Sequence, residues 1–184
     1  MFNKYMTINL YIDTLTEVEI AKIEARLRPN QSSKIGFLGP SESLKEVIYQ
    51  DAETLRRLGL THEEIADKLE YLVSNPQKSH GFKVDSRRYR GSQQDPFQEG
   101  RSSVPHSNKD ITITNSIGEV VTFPGLIIKL IRDYQFFEGR GTSYRLDPEN
   151  AVKILHIQPG EKYELNKPRQ VFPLKKSGKV YRGR

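Results

Sequence analysis

Residues 110–123 constrain this chain more than any other stretch. β-forming residues alternate on both sides of Asn115-Ser116-Ile117-Gly118. That loop suits a type I turn with glycine at the left-handed bulge position. If Asn115 closes against Glu119, Ile113 faces Val121 and Ile111 faces Phe123. Those four share one face, while Thr112, Thr114, Val120 and Thr122 share the other. A one-residue slip would turn every apolar side chain the wrong way, so the pattern specifies its own register. The 111–123 hairpin therefore needs a layer of helices over one face.

The chain supplies those helices. Ile20, Ile23 and Leu27 recur at helical spacing within 16–28, with Val18 nearby, behind a Thr16/Glu19 capping box. Ser41 reads as the cap of a helix running to Leu58 with Leu44, Val47, Ile48, Leu55 and Leu58 on one stripe, closed by Gly59. Thr61 and Glu64 open another helix to Val73, with Ile65, Leu69 and Leu72 inward. The short turn between them predicts a helical pair over 43–73 that can form a sub-lobe. Pro124 reads as the first turn of a helix carrying Leu126, Ile127, Leu130, Ile131 and Tyr134. Asp147-Pro148-Glu149 opens a last helix through Leu155. Alternation predicts a short strand at 7–12, and 81–85 reads as another, extending towards Tyr89. Residues 91–108 read as a long polar loop. The expectation is an α+β fold: a small antiparallel sheet including the 111–123 hairpin, covered by four to five helices. One domain spans 1–160, and an irregular basic tail over 161–184 docks on the body or on a partner.

The net charge of +6 belongs to that tail. Residues 168–184 contain Arg169, Lys175, Lys176, Lys179, Arg182 and Arg184 and no acid; without them the chain has 23 basic and 23 acidic residues. Val171, Phe172, Leu174, Val180 and Tyr181 stand between those charges, as expected of a tail that docks rather than one that only attracts. A weaker basic cluster, including Lys83, Arg87, Arg88, Arg90 and Arg101, is diluted by Asp85, Asp95 and Glu99. The absence of cysteine excludes disulfides, thiolate metal sites and a cysteine nucleophile. No apolar run approaches the length of a membrane span. Together these features predict a cytoplasmic protein.

Packing rules do not by themselves explain the elbow at 136–145. It sets Phe136 and Phe137 beside Glu138, Gly139, Arg140, Gly141, Thr142, Ser143, Tyr144 and Arg145. The glycines permit a close backbone approach, and Arg140 and Arg145 are suited to fork onto a phosphate or carboxylate. Turns of this kind also form anion nests. The alternative is a helix cap with Arg145 in an internal ion pair. Upstream, Arg87, Arg88, Tyr89 and Arg90 interleave cations with an aromatic ring, a pattern suited to single-stranded nucleic acid. Residues 58–69 resemble the first helix of a helix-turn-helix reader over about a dozen residues, but the basic second helix is missing. His62, His80, His106 and His156 show no metal-ligand spacing.

The sequence thus predicts a non-catalytic binding or assembly protein without cofactor or metal. Its partner is an acidic macromolecule, nucleic acid or protein, and not a membrane. The residues expected to meet it are Arg140, Arg145, Tyr144, Arg87, Arg88, Arg90, Lys175, Lys176 and Arg182. The alternative is a small enzyme with Arg140 and Arg145 as anion clamps and an acid of the 87–108 loop, or His106, as general base. That reading requires Arg145 and the loop residue to meet in one concave pocket.

Overall fold

The hairpin forms in the register that its alternation requires. Ile111 pairs with Phe123, Thr112 with Thr122, Ile113 with Val121 and Thr114 with Val120, and the Asn115 amide donates to the Glu119 carbonyl at 3.0 Å. The structure is a computed structural model and describes residues 9–77, 79–99 and 106–165. Its sheet has three antiparallel strands in sequence order: β1 (Phe82–Gln93), β2 (His106–Asn115) and β3 (Val120–Pro124). Ile111, Ile113, Val121 and Phe123 are buried on one face.

Five helices complete the α+β fold: α1 (Glu17–Leu27), α2 (Leu44–Leu58), α3 (His62–Ser74), α4 (Ile127–Tyr134) and α5 (Pro148–Ile154). Both capping boxes form, at Thr16/Glu19 and at Thr61/Glu64. α4 is the central element. Leu126, Ile127, Leu130 and Ile131 are almost wholly excluded from solvent, and each such side chain contributes about 1.5–3 kcal/mol. α4 packs on α3 and α2 packs on α5. All five helices share one apolar core with the sheet.

Four boundaries differ from the expectation. The strand predicted at 7–12 falls partly outside the described residues. Its remainder is a single 3-10 turn, Tyr11–Thr14, which buries only Ile12. α2 starts two residues later than expected, because Ser43, not Ser41, accepts the capping bond from the Glu46 amide. Pro124 ends β3 instead of starting α4. β3 pairs only with β2, so proline's missing N–H costs no ladder bond on the open edge. The loop predicted over 91–108 is trimmed by strand at both ends. β1 continues to Gln93 and β2 begins at His106, across a bulge between Arg88 and Ser92. Gly91 makes that bulge feasible by adopting φ +89°.

Candidate functional site

The elbow is stitched to the loop ahead of α2. The Gly139 amide donates to the Phe37 carbonyl at 2.8 Å, and Leu146 donates back to Phe137 at 3.2 Å. Phe136 and Phe137 are fully buried. An anion nest does form here, and the chain fills it itself. The Glu42 carboxylate accepts from the amides of Gly39 at 2.6 Å, Arg140 at 2.7 Å and Gly141 at 3.3 Å. A Cβ at Gly139 would collide with that carboxylate and lie 3.0 Å from the Leu38 Cα.

Arg145 is likewise committed to the interior. Its guanidinium forks onto Asp51, with contacts of 3.0 and 2.6 Å, and donates to the Glu138 carbonyl at 2.6 Å. The Asp51 side chain is 2% exposed and that of Arg145 9%. Burial pushes the Asp51 carboxyl up, and the guanidinium opposes that push. Beneath this pair lies Glu138, 1% exposed, with its backbone in the left-handed region at φ +68°. Burial raises its carboxyl to about 8, against the Thr142 hydroxyl, which donates to it at 3.2 Å. His62 lies beside Phe137, the rings tilted at 38° with centroids 5.7 Å apart, and burial lowers its pKa to about 4. The elbow is thus an internal polar joint, and only Arg140 and its neighbours Gly141 and Ser143 are exposed, with Tyr144 half-buried.

The upstream arginines face the opposite situation. Every residue from Asp85 to Ser92 is exposed, so β1 stands out on both faces of the sheet. Arg87 lies over the Tyr89 ring, 5.4 Å from its centroid. The Tyr89 hydroxyl donates to Asp110 at 2.9 Å.

Ion pairing separates the arginines into two classes. Among the described residues, Arg26, Arg28, Arg56, Arg57, Arg132 and Arg145 each pair with a carboxylate. Arg87, Arg88, Arg90 and Arg140 do not; all four are exposed. The predicted site residues Lys175, Lys176 and Arg182, and the predicted tail beyond residue 165, lie outside the described residues; the tail's first residues meet α3 through Lys68–Glu161 at 3.9 Å and Tyr71–Tyr163 at 5.1 Å between ring centroids.

Sequence reasoning missed a buried polar cluster. Asp95, 2% exposed, accepts from Lys129 Nζ at 2.7 Å and from the Tyr134 hydroxyl at 2.7 Å, and Lys129 also bonds Asp133 at 2.7 Å. Burial works against the Lys129 charge, but the two carboxylates hold its pKa raised. Burial pushes the Tyr134 phenol up, and Asp95 adds to that push. Phe97 stacks on Tyr134 at 4.2 Å, and Arg26 donates to the Pro96 and Phe97 carbonyls. Residues 95–97 are therefore clamped between α1 and α4. The only advance signal was an aspartate and a phenylalanine amid polar residues. Beside the clamp lies an open polar groove of about 510 Å³, lined by Arg26, Ser32, Ser92, Gln94, Asp95 and Glu99 among others. Arg140 and Arg145 do not line it.

Among the described residues, no group of three His, Asp or Glu side chains is placed to hold a metal ion, and no helix is long and apolar enough to cross a membrane. No protein family, curated protein or solved structure matches this chain.

Proposed function

We propose that the chain is a non-catalytic binding or assembly protein of the cytoplasm that engages an acidic partner. Arg87, Arg88, Arg90 and Arg140 on the body, together with the basic tail, make the contact. The pairing pattern of the arginines carries this reading. Six guanidiniums pair with carboxylates, those of Arg56 and Arg57 at the surface, while four exposed ones make no ion pair among the described residues. Exposed unpaired arginines draw polyanions and release their counterions. The arrangement gives less support to an enzyme. Its two proposed halves, the elbow arginine Arg145 and the loop acids Asp95 and Glu99, do not line one groove.

Elution from immobilised heparin tests the proposal. Arg87→Ala/Arg88→Ala/Arg90→Ala and a chain lacking 168–184 should each elute at lower salt than the intact protein, and their combination at lower salt still. Unchanged elution of both variants would overturn it.

A further inference from the structure

We infer that the acidic partner is single-stranded nucleic acid, with a base stacked on Tyr89 and the neighbouring phosphates held by Arg87, Arg88 and Arg90. The inference rests on the acidic-partner reading and adds the class of partner to it.

The local geometry is that of a prepared stacking surface. Tyr89, Arg90 and Gly91 stand opposite Asn108 alone, because the ladder pairs Arg88 with Lys109 and then Ser92 with Ser107. A bulge of this kind bends the strand outward and re-aims its side chains. The Tyr89 ring is nevertheless fixed. Its hydroxyl is tied to Asp110, and Arg87 covers it at cation–π distance. It remains 39% exposed. A ring already held in place loses little rotamer freedom when a base stacks on it.

The surrounding charge suits a phosphate backbone. From Ser86 to Gln93 the strand has three arginines and no acid. Asp85, just before this stretch, is paired with Lys83 at 2.9 Å. Asp110 is the other nearby acid, and it accepts the Tyr89 hydroxyl. An acidic protein would use these arginines but presents no row of planar bases to the ring. Duplex nucleic acid keeps its bases stacked internally and offers none to Tyr89. Cations beside an open π-face are the elements of sequence-tolerant single-strand binding.

The test uses the full chain and fluorescence anisotropy. The probes are labelled oligo-U and oligo-dT strands of about 12 nucleotides, an abasic strand of the same length, a duplex, and poly-glutamate. The base-bearing single strands should bind most tightly, and the RNA and DNA arms decide which source is preferred. Tyr89→Leu should weaken their binding about tenfold and leave the abasic strand unaffected. Tyr89→Phe, which keeps the ring and loses the tether, should stay much closer to the intact protein. The triple arginine variant should weaken every probe and lower the slope of log K against log salt by about 2. If Tyr89→Leu affects base-bearing and abasic strands alike, or the duplex binds as tightly as the single strands, the stacking inference fails. If the triple arginine variant binds every probe as the intact protein does, the acidic-partner reading fails with it.

Discussion

Glu138→Gln should stabilise this protein, and by an amount that depends on pH. The Glu138 carboxyl has an ordinary value of 4.5 and is raised to about 8 by burial. Below pH 4.5 it is protonated whether the chain is folded or not, and it contributes no pH dependence. Between 4.5 and 8 the unfolded chain releases the proton and the folded chain keeps it. Folding then takes up a proton, and stability falls by about 1.4 kcal/mol per pH unit. At pH 7 the accumulated loss is about 3 kcal/mol, a large fraction of the stability of an ordinary domain. Glutamine has the shape of the protonated acid and the same backbone demands at φ +68°. Its amide oxygen can still accept from Thr142, so the substitution removes the titration while keeping the side chain's shape. Urea unfolding at pH 5 and pH 7.5 measures the effect. The variant should gain less than about 1 kcal/mol at pH 5 and more than about 3 kcal/mol at pH 7.5. An equal gain at both would refute the reasoning, because the cause would then be packing and not charge.

His62 predicts the opposite slope on the acid side. Its value falls from 6.5 to about 4 in the fold, so stability is complete above pH 6.5 and is lost as pH drops towards 4. His62→Leu should remove that loss, read as a flatter midpoint between pH 4 and 6.5. Arg145→Met and Asp51→Asn should each destabilise by about 3–5 kcal/mol. A urea double-mutant cycle should give a combined loss smaller than the sum, because either change alone strands a buried charge. Gly139→Ala should cost about 1–3 kcal/mol in the same assay, since its methyl meets both the Glu42 carboxylate and the Leu38 backbone.

Features set by neighbours in the chain could be read in advance. The hairpin register followed from alternation around Asn115, and both capping boxes followed from a threonine three residues before a glutamate. What depends on distant partners could not. Nothing local marks Glu42 as the occupant of the elbow's nest, or Asp51 as the partner of Arg145. Gly91 looked like a loop residue because glycine breaks ordinary strands. Here it lets β1 absorb extra residues and resume pairing. The Arg-Arg-Tyr-Arg run was visible, but only the fold separates its exposed arginines from those that staple the body together.

The joint at the elbow also orders events in time. The Glu42 carboxylate reaches amides 98 and 99 residues away, and Asp51 reaches Arg145 across 94. During synthesis α2 emerges long before either partner exists, with an unpaired aspartate on a helix whose apolar stripe is still uncovered. Closing such wide loops must precede the contacts that reward it, which slows folding. The first half of the chain therefore waits on the second, and the interval before residue 145 appears is when this protein most needs protection from aggregation.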